Sequence, residues 1–566
     1  MVNRLDQALQ MQRAGRHEEA ASLLKKVNAK KKTRTVLSVL AESRSNRALG
    51  DWQAAREVLM LGLSDKISRA EYVDLSIALA SAFAGGGELR EAMKVLKKAE
   101  KSVPIDKKND LMLNQALVYS QDYQFARAVK LCLGLIESER DAIRGALLLM
   151  DLAIQLSDLE LFDQALDVIE KDIGSFNDVN LLALVERVSR YRRHRSAVFY
   201  EAAKGRGLMP NRINLFAARK QLDNGDYDSG QVQLDEVDER RLDATLKPLF
   251  WKLRGTLQDR AGEFTEAFNS YRRMNEASRA VLPIDWQQTG FDPVQPFERV
   301  RENPQAFESP VPLAFIVGFP RSGTTLLEII LDSQAGIEVI DEKPIVHALK
   351  TRLVDDGYDL ENCLPQLEDK YLDQLREQYF RHAEEYVRPQ FADVKLLVDK
   401  NPMQMIDLPL INALFPQARI LNMVRHPLDT ILSCYQQTFE INSQMPFFTD
   451  WRSCFSHYHN VINSFERYRS RLAVEDYVVR YEDLVVDFDV EVEKIFEFLN
   501  FSPDAERYRQ FGEHAQKRIV NTPSSSQVRK GLYSGATFRW RNYRDAIDEH
   551  LELVMDDIDR LGYEVE

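Results

Sequence analysis

The chain has 566 residues, of which 44% are hydrophobic, and a formal net charge of −13. The mean hydropathy is −0.37, and this composition is typical of soluble proteins. We therefore expect neither a disordered chain nor a membrane protein. The negative net charge disfavours general affinity for nucleic acid or a membrane surface, so any anion site has to be local.

The first residues predict a cytoplasmic protein. "MVNRLDQALQMQRAGRHEEA" carries charges where a signal peptide needs an apolar core, and no later stretch approaches the roughly 20 apolar residues of a membrane span. The four cysteines are far apart and form no C-x-x-C pair, which disfavours zinc and disulfide frameworks. We therefore expect reduced, mostly structural thiols.

The front half repeats one helical unit. "GRHEEAASLL" from Gly15, "GDWQAAREVL" from Gly50 and "GELREAMKVL" from Gly87 share a turn residue and an alanine five positions later. Related segments follow at spacings of 32 to 39 residues, starting at Gln121, Glu160, Arg192, Gly225 and Gly262. A single repeat is equally compatible with a plain helical bundle, but eight in register favour a solenoid.

This pattern resembles tetratricopeptide (TPR) repeats, which have a period of about 34 residues. The resemblance implies an α-solenoid over residues 1–281, with a concave face that binds a protein or peptide. Two units depart from the pattern, because Arg192 replaces a turn glycine and Gly230 replaces an alanine. Residues 282–311 are rich in proline and lack helical periodicity, which predicts a linker.

The segment 312–566 alternates apolar runs with helical patterns. "LAFIVGF", "KLLVDK", "RILNMV" and "DYVVRYEDL" are typical of buried strands. Strands alternating with helices predict a parallel sheet covered by helices. The expected fold class is therefore α followed by α/β, a TPR-like solenoid and then a domain with a central parallel sheet.

"FIVGFPRSGTTLLEIIL" predicts a phosphate-binding loop between a strand and a helix. Backbone N–H groups and the helix dipole favour an anion there. Gly318 and Gly323 have the spacing of a triphosphate P-loop, but Thr324 stands where that motif needs lysine. Asp399 resembles a magnesium ligand, yet Lys400 beside it is an awkward neighbour for a metal. The pattern thus predicts a phosphate cradle without a metal.

"RILNMVRHPLDTILSCYQQ" predicts a second anion site. A strand ends at Val424, Arg425 stands at its mouth, Pro427 opens a helix, and Ser433 follows eight residues after the arginine. A guanidinium fork and a serine hydroxyl suit a phosphate. Two such sites at the carboxyl ends of neighbouring strands predict a nucleotide with phosphates at two ribose positions.

Together these motifs resemble those of sulfotransferases that use 3′-phosphoadenosine 5′-phosphosulfate (PAPS). "GFPRSGTTLLEIIL" is similar to their 5′-phosphosulfate loop and "RHPLDTILS" to their 3′-phosphate motif. The similarity is greatest to tyrosylprotein sulfotransferases and to bacterial fusions of TPR repeats with such a domain. It implies a P-loop, nucleotide-kinase-like α/β fold, PAPS as sulfuryl donor, its bisphosphate PAP as product, and no metal.

The resemblance also assigns site residues. Glu342 in "VIDEKPIV" matches the catalytic base of the family. Lys400 in "DKNP" and Arg321 match the side chains that stabilise charge on the transferring sulfuryl group and the departing phosphate. The residues implied in nucleotide binding are Arg321, Ser322, Gly323, Thr324, Thr325, Arg425, Ser433, Tyr481, Ser524, Gln527, Val528, Arg529 and Lys530. Asp341 and His347 are the rival bases. Pro344 replaces an arginine of the tyrosylprotein enzymes, which leaves tyrosine open as the acceptor.

The predicted function is transfer of a sulfuryl group to a hydroxyl of a protein or peptide, tyrosine among the candidates, presented by the TPR array. A small-molecule or carbohydrate acceptor is an alternative within this function. Two other hypotheses are an inactive PAP-binding scaffold and, ranked lower, a variant P-loop kinase. No nucleic-acid partner and no membrane insertion are expected, and the oligomeric state is undetermined. His457 and His459 are interpreted as polar surface.

Overall fold

The computed structural model describes residues 2–138, 141–207, 210–281, 296–387, 393–439, 445–516, 535 and 537–565. The chain divides into two compact units, Met1–Asp172 and Ile173–Glu566. This division falls inside the predicted repeat region, so the last repeats and the α/β domain share one compact unit. The domain boundaries at 281/282 and 311/312 stay predictions.

The first unit is helical, and each of its helices packs on the next one in the chain. Within the described residues ten helices form five hairpins. Their bounds are α1 (Val2–Arg13), α2 (His17–Asn28), α3 (Val36–Ala48), α4 (Trp52–Leu63), α5 (Arg69–Gly85), α6 (Leu89–Glu100), α7 (Lys108–Gln121), α8 (Phe125–Ile136), α9 (Ala142–Gln155) and α10 (Leu159–Glu170).

The second unit begins with three more hairpins. Their helices are α11 (Asp178–Tyr191), α12 (Ala197–Gly205), α13 (Pro210–Asn224), α14 (Tyr227–Asp235), α15 (Lys247–Ala261) and α16 (Phe264–Arg279). Each predicted repeat thus corresponds to one hairpin, which confirms the repeat prediction. The departure at Arg192 is visible in the backbone, because its φ of −134° differs from the left-handed turn glycines of the regular repeats, such as Gly262 at +81°.

Small residues let the two helices of a hairpin approach closely. The fourth residue of the second helix is a fully buried alanine in several hairpins, as at Ala20, Ala55 and Ala267. Gly230 takes this position in α14, where a Cβ atom would lie 1.9 Å from Cδ1 of Leu222. An alanine would therefore clash at this position, and glycine lets the two helices pack as closely as in the other repeats.

Five parallel strands form one sheet in the order β2-β3-β1-β4-β5. They are β1 (Leu313–Gly318), β2 (Ile337–Asp341), β3 (Leu396–Lys400), β4 (Arg419–Val424) and β5 (Glu475–Arg480). The four predicted strands are β1, β3, β4 and β5, and the sequence analysis did not single out the edge strand β2. The described helices of this region are α17 (Thr324–Asp332), α18 (Ile345–Asp355), α19 (Asp369–Glu384), α20 (Leu408–Leu414), α21 (Pro427–Tyr435), α22 (Trp451–Arg471), α23 (Tyr481–Val486), α24 (Phe488–Phe498), α25 (Ala505–Arg509), α26 (Phe511–Gln516), α27 (Arg544–Asp548) and α28 (Met555–Arg560).

Both faces of the sheet are covered. In β1, Phe315 belongs to one apolar cluster, while Ala314 and Ile316 belong to another. This alternation follows from the two-residue period of a strand and explains the continuous apolar runs of the sequence. From β1 the chain builds β2 and β3 on one side and β4 and β5 on the other, so the loop after β1 lies at the switch point of the sheet.

The last hairpin shares a core with the α/β domain. Ala267, Tyr271 and Met274 of α16 belong to the same apolar cluster as Trp451 of α22. Asn275 donates from Nδ2 to the carbonyl of Tyr435 at 2.8 Å. The hairpin is therefore part of one folded body with the sheet.

The described part of the predicted linker, residues 296–311, also packs on this body. Phe297, Val300 and Val311 are buried in the same cluster. The hydroxyl of Tyr468 donates to the carbonyl of Phe297 at 2.8 Å. These residues therefore cover part of the core.

Two smaller sequence expectations have an outcome in the fold. All four cysteines are free thiols and buried. The interpretation of His457 as polar surface is wrong, because its ring is buried and stacks on Phe447 at 4.4 Å between centroids. Burial lowers the pKa of His457 to about 3, so it is neutral. None of the described helices combines the length and apolar character that crossing a bilayer requires.

Candidate active site

The predicted site residues follow the carboxyl ends of the strands. The register pairs Asp341 with Lys400 and Val424 with Arg480, at the ends of adjacent strands. The turns that carry the predicted chemistry therefore leave the sheet along one edge. In open α/β sheets this edge, at the switch point, is where ligands bind.

The loop after β1 forms a tight cradle at the start of α17. Gly323 caps the helix with φ +113°, and a Cβ atom there would lie 2.7 Å from Cε of Met423 and from Cδ2 of Tyr481. Thr324 and Thr325 form the first turn, where backbone N–H groups have no acceptor within the helix. The Oγ of Ser322 is buried and has no hydrogen-bond partner among the described residues. The loop thus combines the free N–H donors of a helix start with the buried hydroxyl of Ser322.

Arg321, Ser433 and Arg425 meet beside this cradle. The Nε of Arg321 donates to Oγ of Ser433 at 3.1 Å. Arg425 donates from Nη1 to the carbonyl of Arg321, also at 3.1 Å. Burial, and with it the positive charge of Arg425, lowers the pKa of Arg321 to about 10. An anion bound here would favour both guanidinium charges.

Asp429 connects Arg425 to the C-terminal segment. Its Oδ2 lies 3.8 Å from Nη2 of the arginine, one helical turn away. The same carboxylate accepts from the backbone N–H of Phe538 at 2.6 Å and from that of Trp540 at 2.9 Å. Asp429 therefore orients the arginine and anchors the segment that follows residue 536.

Lys400 lies at the centre of three carboxylates. Its Nζ is 3.0 Å from Oε2 of Glu328, 2.5 Å from Oδ1 of Asp341 and 2.8 Å from Oε1 of Glu342. The side chains of Lys400, Glu328 and Asp341 are 0%, 1% and 2% exposed, whereas that of Glu342 is 43% exposed. Burial alone would lower the pKa of Lys400, but the three carboxylates outweigh it and hold the pKa well above its usual value.

Glu342 is held at the mouth of this cluster. Its backbone N–H donates to the carbonyl of Lys400 at 2.7 Å, and its φ is +50°. Arg321 has φ +73°, so two of the three predicted catalytic residues, Glu342 and Arg321, hold a left-handed backbone that costs a non-glycine residue of order 1–3 kcal/mol. Such conformations are frequent where side chains are held for function.

The rival bases are placed differently. Asp341 is buried against Lys400, and His347 lies in α18 with its side chain exposed. Only Glu342 of the three combines contact with Lys400 and substantial exposure. Geometry therefore favours Glu342 as the group that a substrate hydroxyl can reach.

Tyr481 has a packing role beside the cradle. It opens α23, and Cζ of Arg425 lies 5.1 Å from the centroid of its ring. Burial raises the pKa of Tyr481, so the phenol stays protonated. The ring occupies the space where a side chain at Gly323 would lie, and its face packs against the guanidinium of Arg425.

Asp399 faces away from the site. Its Oδ2 accepts from the hydroxyl of Tyr379 at 2.9 Å, and its Oδ1 from Nε2 of Gln404 at 3.3 Å. Successive strand residues point to opposite faces, so Asp399 and Lys400 do not share a pocket. Burial raises the pKa of Asp399 to about 7. Among the described residues no group of His, Cys, Asp or Glu is arranged to hold a metal ion.

Part of the predicted site lies outside the described residues, namely Ser524, Gln527, Val528, Arg529 and Lys530. Sequence reasoning missed Glu328, although a lone glutamate in the apolar helix "TTLLEIIL" is a signal for a buried charge partner. It also missed the backbone contacts of Phe538 and Trp540 with Asp429, for which the sequence holds no local signal.

The described residues fit a nucleotide with two separate phosphates. The cradle offers at Ser322 a buried hydroxyl that has no hydrogen-bond partner in the described part of the chain, and glycine where a side chain would fill the loop. Arg425 and Ser433 lie at the next strand end, as a second phosphate requires. Thr324 occupies the position of the P-loop lysine, so the loop does not supply from this position the charge that a third phosphate in line requires.

Comparison with known proteins agrees with this geometry. The family described as "Sulfotransferase family" matches residues 312–504. An uncharacterized protein of Aquifex aeolicus (strain VF5) is 25% identical over 370 residues, 62% of this chain and 47% of that protein. Protein-tyrosine sulfotransferase 1 of Homo sapiens is 29% identical over 157 residues, 26% of this chain and 41% of that protein. The chain thus spans less than half the length of the curated relatives it matches.

Among solved structures, a tetratricopeptide repeat protein from Parabacteroides merdae ATCC 43184 is 15% identical, with a TM-score of 0.31, and covers 44% of this chain and 94% of that one. The residues matched by the family contain all five strands, the loop after β1 and the sites of Glu342, Lys400 and Arg425. Residues 312–504 thus match the sulfotransferase family, and helical hairpins precede them in this chain.

Proposed function

We propose that the chain transfers a sulfuryl group from PAPS to a hydroxyl of a protein or peptide that the helical hairpins bind. The observation that carries this proposal is the meeting of two anion-binding elements with one exposed carboxylate. Arg321, Ser433 and Arg425 join the two elements, and Glu342 stands at the mouth of the buried Lys400 cluster.

The nucleotide phosphates are assigned to separate elements. Ser322, Thr324 and Thr325, with the loop backbone, hold the 5′-phosphate at the start of α17. Arg425 and Ser433 hold the 3′-phosphate. The donor supplies an activated sulfuryl group and needs no divalent ion, in keeping with a loop that lacks the lysine of a triphosphate site.

In the transfer step the acceptor oxygen bonds to sulfur while the bond from sulfur to the phosphate oxygen breaks. Glu342 takes the proton of the acceptor hydroxyl, a role typically contributing about a hundred- to ten-thousand-fold. Arg321 stabilises the negative charge that develops on the departing phosphate. The bisphosphate PAP leaves with the bonding electrons.

For Lys400 we propose a positioning role. The resemblance assigns it to charge stabilisation on the transferring group, but an ammonium has three donors and three carboxylates surround this one. Lys400 holds Glu342 in its strained backbone conformation and keeps its carboxylate at the mouth of the cluster, where an acceptor hydroxyl can reach it.

Tyrosine is one candidate acceptor, because the human relative is named for tyrosine sulfation. Pro344 occupies the place of an arginine of the tyrosylprotein enzymes, so serine and threonine peptides belong in the same test. The kinase alternative is disfavoured because Thr324 replaces the lysine and Asp399 is hydrogen-bonded on the other face of β3.

The test combines binding and turnover in the full chain. Titration calorimetry with adenosine 3′,5′-bisphosphate in EDTA is expected to show binding by the wild type and by Glu342→Gln. Transfer of radiolabel from PAPS to peptides is expected to fall about a hundred- to ten-thousand-fold in this variant. Glu338→Gln, earlier on β2, is the matched control and keeps its activity.

Each failure has a distinct meaning. Absence of bisphosphate binding by the wild type refutes the nucleotide assignment. Binding without transfer to any peptide, carbohydrate or small hydroxyl compound supports the inactive scaffold instead. Magnesium-dependent turnover of ATP supports the kinase.

A further inference from the structure

A cavity opens at the edge of the sheet, where β4 and β5 meet α22 and the end of α28. It has a volume of about 490 Å³, within the range of small-molecule sites. Its polar lining consists of the three arginines Arg469, Arg480 and Arg560, with Glu466 and Asn422. None of these residues is assigned to the nucleotide, to the base or to the Lys400 cluster. The cavity is therefore a second concave site with a cationic lining.

Asn422 brings a polar side chain into the interior of this cavity. It stands in the middle of β4, paired in register with Val317 on one side and Val478 on the other. The residue is 5% exposed, and within the described residues its amide forms no hydrogen bond. A buried amide that faces a cavity and lacks a protein partner indicates that another molecule satisfies it.

The same asparagine lines a neighbouring cavity that reaches the base of the phosphate loop. This second cavity has a volume of about 320 Å³, and Ser322 and Thr430 belong to its lining. The hydroxyls of both residues are buried and have no hydrogen-bond partner in the described part of the chain. Asn422 thus stands between the phosphate loop and the edge cavity. A ligand of the edge cavity would bind next to the nucleotide and separately from it.

Arg480 carries a charge that no carboxylate balances within the described residues. It ends β5, donates to the carbonyl of Leu561, and its guanidinium carbon lies 4.5 Å from the centroid of the Tyr563 ring. The carbonyl and the ring hold the guanidinium in place. Because a guanidinium has five N–H donors, the remaining donors can serve a ligand.

The other two arginines have carboxylate partners but keep donors as well. Nε of Arg469 lies 2.9 Å from Oδ2 of Asp476, and Nη1 lies 3.5 Å from Oε2 of Glu466. Nη2 of Arg560 lies 3.7 Å from Oδ1 of Asp557. Both arginine side chains are 37% exposed. Asp476 and Asp557 do not line the cavity, so its surface presents three cations and one anion.

We infer that the edge cavity binds a tetrahedral oxyanion, phosphate or sulfate, either free or as the ester of a small molecule. Arg480 provides the fixed guanidinium fork, Arg560 and Arg469 contact the anion from the helices, and the amide of Asn422 donates from the interior. The volume also leaves room for the organic part of an ester. This inference does not depend on the proposed sulfuryl transfer, because other residues are assigned to the phosphates of the donor.

The test is titration calorimetry on the full chain, with and without saturating adenosine 3′,5′-bisphosphate, at an ionic strength held constant with potassium chloride. The probes are inorganic phosphate, inorganic sulfate and glucose 6-phosphate, and glucose is the uncharged control. The bisphosphate fills the nucleotide site, so that the heat measured in its presence comes from the second site.

Three variants change the cavity one group at a time: Arg480→Met, Arg560→Met and Asn422→Leu. Arg560 is partly exposed, so its replacement keeps the fold even if that of Arg480 disturbs the C-terminal segment. Arg471→Met is the matched control for loss of an arginine. It lies at the end of α22 outside the cavity lining, with Nη2 4.0 Å from Oε1 of Glu302.

The wild type is expected to bind at least one of the anionic probes saturably, in the presence of the bisphosphate. Arg480→Met and Arg560→Met should each weaken this binding about ten- to a hundredfold, the effect of losing a charged hydrogen bond. Asn422→Leu should weaken it about fivefold and should keep or raise Tm without ligand, since an apolar side chain of similar shape replaces an unpaired amide. Arg471→Met should bind as the wild type does.

Absence of saturable binding of every anionic probe by the wild type overturns the inference. Unchanged affinity in both Arg560→Met and Asn422→Leu overturns it as well, and so does equal binding of glucose. Tighter binding of glucose 6-phosphate than of either ion supports an ester as the ligand, and equal binding supports the free ion. Bisphosphate affinity is measured separately: its absence in the wild type refutes the proposed function, and the titrations without nucleotide then decide the inference.

Discussion

Replacing Lys400 by methionine should destabilise the second unit strongly at neutral pH. Glu328 and Asp341 are almost fully buried and lie 3.0 Å and 2.5 Å from the ammonium. At an effective dielectric constant of about 20, a pair of unit charges 3 Å apart attracts by about 5 kcal/mol, much of it offset by desolvation. Removing one partner of a buried pair typically costs about 3–5 kcal/mol, because the other charge stays buried. The half-exposed Glu342 adds little to this estimate.

The loss should depend on pH in a defined direction. Without the ammonium, burial raises the folded-state pKa values of Glu328 and Asp341 above their unfolded values. The cost is then fully present above the folded pKa values and recedes as the pH falls through them. In the wild type the raised pKa of Lys400 gives a contribution that is constant below about pH 10. The difference between variant and wild type should therefore shrink from pH 8 to pH 5.

The assay is urea unfolding followed by tryptophan fluorescence in a Trp52→Phe background, which leaves tryptophans of the second unit alone. Lys395→Met, at an exposed position just before β3, is the control for loss of a lysine. Adding Glu328→Gln and Asp341→Asn to the methionine variant should recover more than half of the lost stability. A loss below about 0.5 kcal/mol, or an equal loss at pH 5 and pH 8, would refute a buried, charge-balanced cluster.

Two further changes test the phosphate-binding elements, and a third tests the buried Asp399 on the opposite face of β3. Gly323→Ala should weaken bisphosphate binding at least about tenfold in calorimetry, since its Cβ would lie 2.7 Å from Met423 and Tyr481 atoms at a φ of +113°; unchanged affinity would contradict the tight cradle. Ser433→Ala removes an acceptor of the loop arginine and should lower that affinity about tenfold, the worth of one charged hydrogen bond, with little change in Tm. Burial raises the pKa of Asp399 to about 7, so between pH 4 and 7 the folded state holds a proton that the unfolded state has lost, and wild-type stability should fall by up to about 1.4 kcal/mol for each unit that the pH rises. Asp399→Asn should remove this slope in urea unfolding, and an unaltered slope would assign it to other groups.

Much of the fold follows from local patterns in the chain. The turn glycines and small helix residues locate the eight hairpins, because both act within one repeat. The phosphate loop and the Arg425 motif are likewise continuous segments in which strand, turn and helix signals coincide. The edge strand β2 escaped notice because "IEVID" is short and holds a charged residue, which weakens a strand signal.

The parts that could not be predicted depend on tertiary contacts. Glu328 and Lys400 are 72 residues apart, and only the sheet register brings them together. Asp429 accepts hydrogen bonds from the backbone N–H groups of Phe538 and Trp540, and backbone groups are the same in every residue type, so the sequence does not reveal these contacts. The hydrogen bond from Lys252 on α15 to Gln437 likewise depends on the packing of the last hairpin against the α/β domain.

The shared core of α16 also decides where this chain can be divided. A fragment begun at residue 312 would uncover Tyr435 and Trp451, whose rings Phe268 covers at 5.5 Å and 5.2 Å between centroids. It would also remove Asp259 of α15, the carboxylate to which Arg539 and Tyr543 donate hydrogen bonds. Recombinant catalytic fragments should therefore begin near residue 173, and shorter versions should aggregate on expression.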